Sequence, residues 1–191
     1  MVKIQEHQIA QLLLVAKEQL TYCEYIEAYA QQEAKNYAPG KLIDQFYKNI
    51  HNTCFNDSLL IISNLIDKDS RVISLWNWTA FKDVKEKKLE QFINSFKKEG
   101  LKTIRDQIVA HTDVNNHNNN FPSSKRRGMV NEILVQRLST FLDDLIVEFY
   151  DYTANHSTPY SPQYFDVSQA KEEIQSVMDK AKPEMTDVPE I

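Results

Sequence analysis

Three residues of one short segment, Arg105, Asp106 and His111, combine a fixed cation, a carboxylate and an imidazole. An imidazole titrates near neutrality, so His111 can take a proton from a ribose 2′-hydroxyl or give one to a leaving oxygen. A guanidinium such as that of Arg105 steadies the charge that builds on a phosphoryl group, and Asp106 can orient either partner. The six-residue separation of Arg105 and His111 gives a rise of about 9 Å and an offset of about 120° around a helix axis, so one helix does not pair them tightly. A long guanidinium covers part of that gap. A second copy related by a two-fold axis would bring two such motifs into one cleft, which makes dimerisation matter to any active site. By bare spacing alone, the simpler reading is a surface Arg–Asp pair and a helix-terminal histidine favoured by the helix dipole.

Other chemistry finds less support. Lys125, Arg126 and Arg127 form the one dense basic cluster, readable either as a hold on RNA phosphate or as a charged helix start. The five histidines include no i, i+4 pair and neither cysteine has a second thiol nearby, so no structural or catalytic metal is expected. Gly-x-Ser-x-Gly, glycine-rich phosphate loops and a cysteine paired with a catalytic histidine are absent, and no cofactor is expected. Cys54 lies near His51, but burial explains it better.

The segments that must position these residues follow from composition. The chain has 191 residues, 42% of them hydrophobic, with only three glycines and six prolines, which favours long helices over a sandwich or barrel. The net charge of −5 excludes a whole-molecule positive field, so any nucleic-acid contact must be local. Cys23 and Cys54 sit among apolar neighbours within helical patterns, which predicts a reducing, cytoplasmic setting without disulfides. The start carries polar residues where a signal peptide would be apolar, and no run reaches membrane-spanning length. Neither secretion nor membrane insertion is expected.

Apolar periodicity predicts helices over about 3–36, 41–67, 83–99, 101–113 and 126–153, with a short buried helix over 71–81 capped by Asp69 or Ser70 and a weak helix over 166–181. The first stripe runs through Ile9, Leu12, Leu13, Ala16, Leu20, Cys23 and Ile26, and the second through Leu42, Phe46, Ile50, Cys54, Leu59, Ile62 and Ile66. Val84 is expected inward. Lys85, Lys87, Lys88, Lys97 and Lys98 are expected largely outward as a solvated face. In the last long helix Ile133 joins the apolar stripe. Trp76 and Trp78 are assigned to core or interface. The asparagine-rich run 115–120 reads as a mobile loop. The fold expected is all-α: an antiparallel up-and-down bundle of four main helices plus short ones, spanning 1–155, with 156–191 as a C-terminal extension that frays at its end.

Arg-Asp, four residues, then His near a helix end resembles the Arg-polar-x4-His motif of the HEPN superfamily. Ala110-His111-Thr112-Asp113, with Leu65-Ile66-Asp67 and then Ser74-Leu75 upstream, resembles its abortive-infection type U (AbiU-like) branch over roughly residues 5–152. The resemblance implies a helical bundle that usually forms a homodimer. It also implies a metal-independent endoribonuclease of toxin or phage-defence systems, with Arg105 and His111 as the catalytic pair and Asp106 as polar companion. Some members pair with a cognate antitoxin that adenylylates a tyrosine two places after the histidine; Asp113 stands there in this chain. Other members have lost catalysis. The alternative is therefore a silent module recruiting a protein or nucleotide through the motif cleft or the aromatic 76–81 patch.

Overall fold

The computed structural model describes residues 6–33, 42–112, 132–156, 160 and 162–180, the side chains of 42–46, 107–112 and 162 excepted. Among the described residues six α-helices follow in chain order: α1 Glu6–Glu33, α2 Leu42–Leu65, α3 Thr79–Lys98, α4 Leu101–Thr112, α5 Glu132–His156 and α6 Ser168–Lys180, with a 3₁₀ turn at Pro162–Phe165. No strand occurs among the described residues. The all-α expectation holds.

Side-chain pairs give the helix directions. The Cys23 thiol donates to the His51 carbonyl at 3.4 Å and Ser58 Oγ to the Ala16 carbonyl at 3.3 Å, so a step forward on α1 is a step back on α2. Lys17 pairs with Asp143, Ser139 donates to Glu24 at 2.8 Å and Gln31 to Glu132 at 3.1 Å, which sets α5 antiparallel to α1. Lys85 meets Glu148 while Phe96 meets Phe141, so α3 also opposes α5. The four long helices thus form an antiparallel bundle.

Its core is continuous. Ile9, Leu13, Ala16 and Leu20 of α1 pack with Phe55, Leu59 and Ile62 of α2, with Leu89, Phe92 and Phe96 of α3, and with Leu138, Leu142 and Leu145 of α5. Burying each large side chain contributes about 1.5–3 kcal/mol. A second cluster joins Ile26 and Tyr47 to Ile174 and Met178, so α6 lays its apolar face against the α1–α2 pair.

The structure corrects several expectations. Residues 71–78 are turns and bends, and helix resumes only at Thr79. Local polar side chains explain this: Asp69 Oδ1 accepts from the Arg71 amide at 2.9 Å, Ser74 Oγ accepts from the Asn77 amide at 3.1 Å, and Asn77 Nδ2 donates to the carbonyls of Asp69 and Val72. Such bonds satisfy the backbone outside a helix. Neither Asp69 nor Ser70 caps α3; its N-cap is Trp78, without a side-chain bond.

Leu59, Ile62 and Ile66 are buried as expected, but in the earlier part of α2 the buried positions are Tyr47, His51, Phe55 and Ser58, beside the expected Ile50 and Cys54, which are half-buried; the side chains of Leu42 and Phe46 lie outside the described residues. The shift follows from a histidine and a serine standing at core positions. Val84 and Ile133 face solvent, at 51% and 54% exposure. Lys85 is drawn in rather than outward, 2.9 Å from Glu148 and 2.5 Å from Asp151. Helix α5 runs past the expected end at 153 to His156, and residues 126–131 lie outside the described residues. Trp78 meets the core assignment, packing on Phe81, Phe149 and Tyr152.

Candidate functional site

Helix α4 carries the candidate motif, and a glycine places it. Gly100 has φ +77°, a left-handed conformation that suits a residue without Cβ. Its amide donates to the Lys97 carbonyl at 3.1 Å, closing α3, and its carbonyl accepts from the Ile104 amide at 3.2 Å, opening α4. The chain turns here without unpairing its backbone. Leu101 is fully buried and Ile104 half-buried, so one side of α4 is fixed to the bundle while Lys102, Arg105 and Asp106 stand on the other parts of its circumference.

A cleft of about 460 Å³ opens where the end of α2 meets α3 and α4. Ser63 and Ile66, Ile93 and Phe96 supply its floor and walls, and Lys68, Lys97, Lys102 and Arg105 line it together with Asp67 and Glu90. Arg105 is 24% exposed and its Nε, 2.9 Å from Asp106 Oδ1, has no hydrogen-bond partner among the described residues. The approach is close, but the N–H is not aligned to donate. Asp106 gives its other oxygen to Lys102 at 2.5 Å. That bond, followed by the charge of Arg105, outweighs a small burial penalty and holds the Asp106 carboxyl below its ordinary value. The carboxylate therefore stays charged and the guanidinium keeps donors for another acceptor.

His111 lies in the last turn of α4, and its side chain is outside the described residues. The structure therefore brings together Arg105 and Asp106, and joins them to Lys102. Lys125, Arg126, Arg127 and Asp113, with the asparagine-rich run, also lie outside the described residues. Among the described residues no three His, Cys, Asp or Glu side chains gather as a metal site requires, and no helix is long and apolar enough to cross a membrane.

The connector before α3 ties the upstream residues to this frame. The Leu75 amide donates to the Leu65 carbonyl at 2.8 Å, and Leu75 and Ser74 are both fully buried. Leu65-Ile66-Asp67 and Ser74-Leu75 thus form one closed turn beside the cleft, and Ile66 and Asp67 line it. A family model for AbiU2, of the HEPN proteins, matches residues 5–172. The chain belongs to that family. No curated protein and no solved structure matches it. The AbiU2 match runs through the bundle, the connector, α4 and the 3₁₀ turn into α6, so both the motif helix and the closed turn fall within it.

Sequence reasoning missed Lys102 and Lys68 as neighbours of the motif. Lys102 carried a signal, since a lysine four residues before an aspartate on one helix forms an ion pair. Lys68 carried none, because it reaches the cleft from just past the end of α2, beside the closed turn. A buried pair was missed too: His51 Nε2 lies 2.8 Å from Glu27 Oε1 between α1 and α2, with His51 fully buried.

Proposed function

We propose that this AbiU2-family protein is a metal-independent endoribonuclease that cuts single-stranded RNA in a toxin or phage-defence setting, acting as a cytoplasmic homodimer. The observation that carries the reading is the state of Arg105: a guanidinium on a cationic cleft, its Nε without a hydrogen-bond partner among the described residues, six residues before His111 on the same helix. The resemblance of this spacing to the HEPN motif supports giving these two positions the catalytic roles.

In this reading His111 removes the proton from a ribose 2′-hydroxyl. The 2′-oxygen attacks the adjacent phosphorus, the bond to the 5′-oxygen breaks, and that oxygen takes a proton as it leaves. The products are a 2′,3′-cyclic phosphate and a 5′-hydroxyl. Arg105 meets the negative charge on the phosphoryl oxygens as the bond order changes, and Asp106 keeps the guanidinium in place. The attacking group is already part of the substrate, so no metal-bound water is needed to supply it. Lys125, Arg126 and Arg127 hold flanking phosphates. Two copies of α4 facing each other across a dimer axis supply the pair that one helix spaces too widely. A cognate antitoxin is a further partner, one that does not act through a tyrosine at 113.

The test is cleavage of labelled single-stranded RNA in EDTA by the wild type and by Arg105→Ala and His111→Ala variants of matched helicity and dimer state. Cutting by the wild type alone assigns the chemistry to the motif. Binding without cutting by all three assigns the fold to a silent binding module.

A further inference from the structure

Lys68 links the cleft beside Arg105 to an aromatic ring just outside its lining. Lys68 stands on the cleft wall and its Nζ lies 3.7 Å from the ring centroid of Trp76, with Lys82 Nζ at 5.2 Å from the same ring. Trp76 is half-buried and packed on the core, so its position is fixed. Four cations line the cleft against two carboxylates, Asp67 and Glu90, in a chain of net charge −5. Counting Asp106, which pairs with Lys102 and approaches Arg105, the cleft keeps a small positive excess in a chain whose net charge is negative. Lys97 is exposed and makes no ion pair among the described residues. Besides the Trp76 ring, Lys68 meets Glu90 at 3.7 Å, with both side chains more than half exposed, a pair that water and salt screen heavily.

We propose that an RNA strand engaged at Arg105 runs through this cleft with its phosphates against Lys102, Lys97 and Lys68 and stacks one unpaired base on Trp76. This rests on the ribonuclease reading above and names the substrate's path. A fixed aromatic face beside a cationic groove is the arrangement that holds single strands, because every base has a face to stack and every linkage a charge to meet. In the free protein Lys68 lies against the ring. An arriving base takes that place and the ammonium moves to the neighbouring phosphate. Glu90 competes for the same ammonium, so removing its charge strengthens binding. An acidic protein segment would use the lysines and leave the ring idle.

The experiment measures affinity for a short fluorescent 2′-O-methyl RNA, which lacks the attacking hydroxyl, alongside cleavage of the same sequence as ordinary RNA. Trp76→Ala weakens binding by about tenfold and raises KM with kcat little changed, and Trp76→Phe restores both. Lys68→Gln and Lys97→Gln each weaken binding and flatten its salt dependence. Glu90→Gln tightens it, a gain that a misfolded variant does not give. If the wild type cleaves RNA while Trp76→Ala and Lys68→Gln bind and cleave as it does, the path is wrong and the ribonuclease reading stands. If these variants lose affinity but no protein cuts RNA, the path stands and the ribonuclease reading falls. Loss in the lysine variants alone overturns the stacked base.

Discussion

Nε of Arg105 lies 2.9 Å from Oδ1 of Asp106 and donates no hydrogen bond to it. Consecutive residues on a helix point about 100° apart, so the two side chains meet edge-on rather than as a two-pronged pair. Lys102, one turn earlier, faces Asp106 squarely and takes its second oxygen. The carboxylate is neutralised by the lysine, and the arginine is steered without being consumed.

That division of labour predicts how the variants rank. Asp106 is held below its ordinary 3.8, first by the Lys102 bond and then by the Arg105 charge, so it stays ionised at any pH above about 5. The acid limb of the pH–kcat profile then belongs to another group, and Asp106→Asn leaves its position unchanged. Replacing the carboxylate by an amide lowers kcat by less than about tenfold, whereas Arg105→Ala lowers it by about 10²–10³-fold. Loss of the acid limb in Asp106→Asn would assign the titration to Asp106 instead.

Stability should depend on pH through α3 and α5. Burial disfavours the charge of Glu148, but the bonds from Lys85 and Lys88 outweigh it and depress its carboxyl below the ordinary 4.5. A carboxyl depressed in the folded state stabilises fully above its unfolded value and loses that contribution as pH falls through the folded one. Lys85→Ala therefore costs about 1 kcal/mol at neutral pH. The gap to wild type narrows as the solution is acidified below pH 4.5. Urea unfolding at a series of pH values reads this; a gap that widens on acidification contradicts it.

The bundle was legible because its stripes are long and apolar, as in Leu13, Ala16 and Leu20 of α1 or Leu138, Leu142 and Leu145 of α5. Where a polar residue enters the core the pattern misleads: His51 takes the buried place expected of Ile50 in the earlier part of α2, while Leu59 and Ile62 are buried as expected. The 71–78 segment looked helical because apolarity was counted without its turn-forming Ser74 and Asn77. At the site, Arg105 and Asp106 could be found from types and spacing. The cleft could not, since Lys68 and Asp67 come to it from the turn past the end of α2, far from the motif in sequence.

The buried His51–Glu27 pair gives a stability prediction free of the ribonuclease reading. Glu27→Ala leaves a fully buried imidazole without its 2.8 Å partner and costs about 1–3 kcal/mol. Replacing both residues by leucine removes the unpaired polar group and costs less than the single change. Urea midpoints of the single and double variants check this, and equal losses would show that packing rather than pairing sets the cost.

The most direct measurement is the chemistry of the cut end. Purified wild-type protein is incubated with labelled single-stranded RNA in EDTA, with a second RNA carrying 2′-deoxyribose at the cut position. The account predicts 2′,3′-cyclic phosphate ends from the first RNA, no cut at the deoxy position of the second, and no product from His111→Ala. Cleavage at the deoxy position, cleavage abolished by the chelator, or no cleavage across several RNAs and pH values would contradict it.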